Sequence, residues 1–290
     1  MNTFQVFEPE TIEEAVYLLG DSKEDGRPIA GGTALMLMFK SGLLQLGTLV
    51  SLRRVGGLTG IWRDGNELQV GAMTSLSVLG QSAEVRAFFP AIARTLGTVA
   101  NVQVRNVATI GGNLAHGDPH MDLPPVLLTL NAHIEVTGIR GPRWMPLAEL
   151  FTGYYETSLA PDELLTRVAI PVPPPESAAT YQKHTALSAD DWPALGVAVY
   201  VARSDGYLSA ARIAVSAATE MPIRLTRVEE SLGNQTLTNQ LIDEVAALAA
   251  EEVEPLADLR GSATYKREMV RVHTRRALVT VRSSLDLEEA

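Results

Sequence analysis

Cysteine is absent from the 290-residue sequence. That absence excludes disulfides, thiolate zinc sites, a cysteine nucleophile and an iron–sulfur cluster ligated by this chain, so any such centre belongs to a partner. Basic charge is scarce: 24 Lys and Arg stand against 34 Asp and Glu, a formal net charge of −10. Such a surface repels nucleic acid and anionic membrane, and no dense basic patch offsets it. No apolar run reaches the ~18 residues of a membrane-spanning helix, and Met1-Asn2-Thr3-Phe4-Gln5 lacks the basic start and apolar core of a secretory signal. These absences predict a soluble, cytoplasmic protein with no nucleic-acid binding and no membrane insertion. Three motifs are missing too. There is no G-x-G-x-x-G, no G-K-[ST], since Lys40-Ser41 lacks a preceding glycine, and no G-x-S-x-G, so hydrolase chemistry has no foothold.

What the chain does have is apolar content, 46% of its residues, and a length that predicts two or three subdomains. It also has two Gly-Gly segments of similar build. Ala30-Gly31-Gly32-Thr33-Ala34 and Thr109-Ile110-Gly111-Gly112-Asn113 each follow a strand-like run and precede a helix-like one. Two successive residues without side chains let backbone N–H groups approach an oxyanion and make positive φ cheap. A pair of such loops suits a two-phosphate ligand such as a dinucleotide.

In chain order, residues 4–7 read as a short strand stopped by Pro9, and Thr11 with Glu14 reads as a capping box opening a helix over 12–19. Pro28-Ile29-Ala30 is a strand, the first glycine loop follows, residues 35–39 continue as a buried helix, and 48–52 form a third strand. This is a βαβ arrangement, a small parallel sheet with the glycine loop at a strand's carboxyl end, where open α/β sheets bind ligands. Residues 61–63 and 67–70 flank an Asp64-Gly65 hairpin turn, Thr74-Ser75 opens a short helix, and 90–99 form a helix with Ile92, Leu96 and Val99 on one buried face. After the second glycine loop, Asp122 is positioned to cap the helix carrying Val126, Leu127, Leu128 and Leu130. Residues 132–137 and 164–170 are further strands. Pro171-Val172-Pro173-Pro174-Pro175 is a stiff connector and marks a domain boundary. Beyond it, 181–184, 196–202 and 207–218 read as antiparallel strands with a hairpin at Asp205-Gly206. Helices begin at Thr226 (with Glu229), run over 241–252, and extend from a Ser262 cap through Leu278, giving a cap of three strands and three helices.

The combination of Ala30-Gly31-Gly32-Thr33 with Ala108-Thr109-Ile110-Gly111-Gly112-Asn113-Leu114-Ala115-His116, the latter preceded by Gln103-Val104-Arg105-Asn106, resembles the FAD-binding subunit of the molybdenum hydroxylase family. That family includes xanthine dehydrogenase and aerobic carbon monoxide dehydrogenase. The likeness also covers Phe7-Glu8-Pro9-Glu10-Thr11-Ile12-Glu13-Glu14-Ala15, Tyr181-Gln182-Lys183, and Arg260-Gly261-Ser262-Ala263-Thr264-Tyr265-Lys266-Arg267, so it spans essentially the whole chain. It implies an α+β protein with a two-subdomain FAD-binding fold of the vanillyl-alcohol-oxidase/molybdenum-hydroxylase type (1–54, a βαβ unit, and 55–175), followed by a small α+β C-terminal domain (176–290). It implies FAD, with the pyrophosphate against Ile29, Ala30, Gly31, Gly32, Thr33, Ala34 and Leu35 and against Thr109, Ile110, Gly111, Gly112 and Asn113. Asp122 becomes a carboxylate that hydrogen-bonds the cofactor, Leu165 an apolar contact, Lys183 a polar or charged contact, and Val99 a flavin-lining residue. Ala34 departs from the Asp or Ser of many relatives, and His120 has no expected counterpart. The implied partners are a small [2Fe–2S] subunit and a large molybdopterin subunit in a dimer of heterotrimers, with NAD, a quinone or oxygen as acceptor.

Two other classes stay open on the residues alone. His116, Asp118, His120 and Asp122 alternate, which on a strand aims four metal-ligating groups at one side, although Gly117 and Pro119 disfavour such a strand. The other class is a cofactor-free binding or assembly module that keeps the fold only. Arg105 pairs with a nearby carboxylate or contacts a cofactor. Trp144 and Trp192 read as core or interface aromatics.

Overall fold

A computed structural model describes residues 4–22, 25–45, 47–186 and 188–287; Met1, Asn2 and Thr3 of the N-terminal reading lie outside them. The chain opens with β1 (Gln5–Phe7), α1 (Ile12–Ser22), β2 (Gly26–Ile29), α2 (Leu35–Lys40) and β3 (Thr48–Ser51). The strands form a parallel sheet in the order β1-β3-β2, as the βαβ pattern predicts. The Thr11 hydroxyl accepts the Glu14 N–H, and the Glu14 carboxylate accepts the N–H of Glu10 rather than that of Thr11. The helix buries Ala15, Val16 and Leu19 against Val50, Leu52, Val55 and Leu58. One expectation fails here: α2 is apolar but has no buried residue, and Leu37 is 60% exposed.

The next unit is built on an antiparallel sheet in the order β4-β5-β10-β6-β7, comprising β4 (Ile61–Asp64), β5 (Glu67–Gly71), β6 (His133–Gly138), β7 (Gly141–Pro146) and β10 (Leu164–Pro171). The β4-β5 hairpin turns at Asp64-Gly65 as expected, with Gly65 at φ +58°. Between β5 and β6 lie six short helices: α3 (Leu76–Gln81), α4 (Ala83–Phe88), α5 (Pro90–Gly97), α6 (Val102–Val107), α7 (Ile110–Ala115) and α8 (Leu123–Thr129). Capping explains their starts, because Ser75, Ser82, Asn101 and Thr109 each accept a backbone N–H three residues on. The apolar faces of all but α6, which buries no residue, meet Leu68, Val70, Ile134, Val136, Val168 and Ile170 of the sheet in one core. A two-stranded ribbon, β8 (Phe151–Gly153) with β9 (Glu156–Thr157), precedes β10.

The last unit has four strands, not three: β11 (Ser177–His184), β12 (Leu195–Ser204), β13 (Tyr207–Ser216) and a short β14 (Ile223–Arg224), antiparallel in that order. α9 (Thr226–Leu232), α10 (Asn239–Glu252) and α11 (Ala263–Leu287) follow, with Ser262 capping α11 through the Tyr265 N–H. Glu229 does not box α9. Its carboxylate takes the Ile213 N–H and the Arg224 guanidinium. β12 is buried along nearly its whole length because both faces are covered. Val197, Val199 and Val201 join the C-terminal core, while Ala198, Tyr200 and Ala202 join the core of the preceding unit, the period-two alternation of a strand between two layers. The sheet thus seats on α8 with the packing of an interior. Trp144 and Trp192 are both outside the cores, 47% and 42% exposed.

Candidate functional site

The two glycine segments lie against each other. A Cβ on Gly31 would sit 1.9 Å from the Val107 carbonyl oxygen, and one on Gly112 would sit 3.7 Å from the Ala30 Cβ. In the first segment, Gly32 has φ +70° and the N–H groups of Gly31, Gly32, Thr33 and Ala34 find no intramolecular acceptor among the described residues. A run of free amides with a positive-φ residue inside it has the build of an anion-binding concavity. The segment is half-buried, at the carboxyl end of β2.

The second segment is not a loop. Gly111 and Gly112 occupy the first turn of α7, and its leading amides are used internally: Ile110 N–H to Thr74 O, Gly111 N–H to Ala72 O, Gly112 N–H to the Thr109 hydroxyl and Asn113 N–H to Thr109 O. Unlike those of the first segment, these four amides already have acceptors within the chain. Glycine is needed at 111 because an added Cβ would lie 2.6 Å from the Ala72 Cβ, and at 31 because of Val107; close approach of protein to protein sets both. What this helix offers a ligand is the Asn113 side chain. Its Nδ2 donates to Met121 Sδ at 3.0 Å, whereas its buried Oδ1 has no partner. A free amide run on one segment and an orphaned side-chain acceptor on the other fit a polar ligand bearing both oxyanions and hydroxyl donors, as FAD does.

Asp122 does not cap α8. Its backbone is helical, with no side-chain bond to the helix; instead Oδ1 accepts the Tyr181 hydroxyl at 2.7 Å and Oδ2 the Lys183 ammonium at 3.0 Å. Lys183 Nζ also donates to the Thr98 carbonyl at 3.0 Å. Tyr181 and Lys183 alternate on β11, so both reach one side, across the seam between the two larger units. Burial pushes the Asp122 carboxyl above its ordinary value, against the pull of Lys183 and Tyr181, and burial likewise raises the Tyr181 hydroxyl. Val99, next to Thr98, is 8% exposed; Leu165 is buried on β10, which packs against α7.

The alternating carboxylates and imidazoles do not converge. Asp118 accepts both the backbone N–H and Nδ1 of His120, each at 2.9 Å, and these bonds outweigh burial to hold its carboxyl below the usual range. His120 Nε2 lies 3.5 Å from Asp258, itself paired with the buried Lys266 at 2.9 Å. Among the described residues, no three His, Asp or Glu side chains could hold a metal ion. The segment instead ties the helical layer to the loop before α11. Sequence reasoning named Lys183, Asp122 and Val99 but missed Tyr181, Thr98 and the use of Arg105, whose Nη1 donates to the carbonyls of Val99 and Ala100 at 2.7 and 2.5 Å. No local signal marks a backbone carbonyl as functional.

Residues 2–173 match the family described as "FAD binding domain in molybdopterin dehydrogenase", and residues 165–281 match "CO dehydrogenase flavoprotein C-terminal domain". The chain is 35% identical to the carbon monoxide dehydrogenase medium chain of Afipia carboxidovorans, over 95% of this chain and 96% of that one. It is 34% identical to the nicotine 6-hydroxylase medium subunit of Paenarthrobacter nicotinovorans, over 93% and 94%. The solved carbon monoxide dehydrogenase of Hydrogenophaga pseudoflava superposes with a TM-score of 0.94 at 33% identity, covering 97% of this chain and 98% of that one. The free amides at β2, the orphaned Asn113 and this end-to-end likeness give one answer: the chain belongs to the FAD-binding medium subunits of the molybdenum hydroxylases, electron-transfer components of oxidoreductase complexes.

Proposed function

We propose that FAD is held between the two glycine segments, with its pyrophosphate on the free amides of Gly31, Gly32, Thr33 and Ala34. Ile29, Ala30 and Leu35 form the rest of that wall. Thr109, Ile110, Gly111 and Gly112 form the facing wall through close backbone packing, and the Asn113 side chain supplies its polar contact. Asp122, Lys183, Val99 and Leu165 line the remainder of the cleft. The observation that carries this reading is the run of four unpartnered amides beside Gly112. Bound FAD supplies the redox chemistry, taking reducing equivalents from a partner's centre and releasing them to NAD, a quinone or oxygen. The chain itself positions the cofactor and sets its electrostatic surroundings; no side chain acts as a covalent catalyst.

The reading extends to the assembly: a small [2Fe–2S] subunit and a large molybdopterin subunit, together a dimer of heterotrimers in the cytoplasm. The missing cysteines support a partner-held cluster. Medium chains from complexes named for carbon monoxide and for nicotine align along nearly the whole chain, which supports a substrate site located elsewhere in the complex. The three units 1–54, 55–175 and 176–290 belong to the same proposal, supported by three buried clusters centred on them.

The test is Gly112→Asp. A Cβ at 112 meets the Thr109 hydroxyl at 3.0 Å, which has to give by a few tenths of an ångström, and Ala30 at 3.7 Å, so the thermal midpoint without FAD is measured beside the affinity to show that the variant folds; its carboxylate adds a negative charge next to the first segment. At an effective dielectric of ~20, two like charges ~4 Å apart repel by about 4 kcal/mol, so FAD affinity should fall by roughly a hundredfold or more. Fluorescence titration measures it. Unchanged affinity, or a wild-type chain that stays colourless with FAD, rules the reading out and leaves a cofactor-free module.

A further inference from the structure

We propose that Arg105 is a positioning residue for the flavin: it locks the connection between α5 and α6 in a strained turn that presents Val99 to the cofactor cleft. This inference rests on the reading above that Val99 lines that cleft. The turn begins where α5 ends. Thr98 is its C-cap, with φ −106° and ψ −1°, and Ala100 then adopts φ +44°, one of six non-glycine residues with positive φ among the described residues. Helices commonly end on a left-handed residue, but glycine or asparagine normally occupies it, because a Cβ there crowds the neighbouring carbonyl. An alanine keeps that conformation only if its surroundings over-determine it, and such strain gathers at functional sites.

The surroundings here are two cations. The carbonyls of Thr98, Val99 and Ala100 follow the negative end of α5, where a helix leaves its last carbonyls without partners. Lys183, from the C-terminal sheet, takes the Thr98 carbonyl at 3.0 Å while holding Asp122. Arg105, from α6, takes the next two with one nitrogen, at 2.7 and 2.5 Å. Asn101 meanwhile caps α6 through the Val104 N–H, which fixes the helix that carries Arg105. Three consecutive carbonyls are thus pinned from two directions, and Val99 is the residue in the middle. A lysine at 105 keeps a charged donor nitrogen but not the planar, pre-organised guanidinium, so it replaces the arginine only in part.

The experiment uses the full chain and compares Arg105→Met, Arg105→Lys, Ala100→Gly and the Arg105→Met/Ala100→Gly pair. The readouts are FAD affinity, flavin reduction potential and thermal midpoint without FAD. Without the clamp, Ala100 relaxes out of the left-handed region, so Arg105→Met should weaken FAD binding roughly 5- to 30-fold and shift the potential, the range that a left-handed alanine's conformational penalty allows. Ala100→Gly adopts the turn without strain and should restore most of both in the pair. Arg105→Lys should fall between. If Arg105→Met does not fold, Arg105→Lys and the glycine pair carry the comparison. Unchanged affinity and potential on removing Arg105, or a loss that Ala100→Gly fails to rescue, overturns the proposal. Val99→Trp separates the two levels: if it leaves flavin binding and spectrum untouched, the site reading has failed, whereas a response to Val99→Trp with none to Arg105→Met sinks the clamp alone.

Discussion

Asp122 shows how a single residue joins the halves of the molecule. Its side chain is 7% exposed and that of Lys183 8%, so neither charge has water to fall back on. Removing one partner strands the other in a low-dielectric seam, at a cost of about 3–5 kcal/mol, whereas removing both costs less. Lys183→Met and Asp122→Asn should therefore each lower the denaturant midpoint more than half as far as the double variant does. Strict additivity in the cycle would contradict a direct pair. The resemblance brought both residues into view, but local sequence could not have paired them: they are separated by 61 positions, and the predicted role for Asp122 was a helix cap beside it. Tyr181, the third member, stood in a quoted motif without a role because its meaning depends on β11 facing the helical layer.

Elements were legible where their cause is local. The Asp64-Gly65 and Asp205-Gly206 hairpins, the βαβ opening and the Ser262 cap all follow from turn residues or spacing that a short window contains. Misreadings arose where a distant segment decides. α2 looked buried because its residues are apolar, yet none of them is buried and the core beside the parallel sheet is built with α1 instead. Gly111-Gly112 looked like a loop, but the Thr109 cap and the approach of Ala72 make it a helix start.

The seat of α11 on its sheet yields a prediction of its own. His273 is buried, and its ring lies 5.0 Å from that of His184. Burial, then repulsion from His184 and Arg276, pushes it down to about 4. The unfolded chain binds that proton near pH ~6.5 and the folded chain only near 4, so stability is intact above ~6.5 and is lost as pH falls through this window. His273→Leu should flatten the decline in thermal midpoint between pH 7 and pH 5. An equal decline in both proteins would contradict the assignment.

At the scale of the whole molecule, the proposed cofactor site depends on the three proposed units holding their places. β12 gives alternate residues to two cores, Arg212 of β13 donates to the Thr129 carbonyl at 2.5 Å, and the Ala217 N–H reaches Pro119. These contacts fix the C-terminal sheet, and with it Lys183, over the helical layer. The glycine segments meet through Gly31 against Val107, two residues before Thr109. The measurement that tests the central claim most directly is fluorescence titration of the full chain with FAD, repeated with ADP and with riboflavin as competitors. A cleft that grips a diphosphate on free amides predicts that ADP raises the apparent FAD dissociation constant while riboflavin, which has no phosphate, competes far less. FAD binding indifferent to ADP would contradict it.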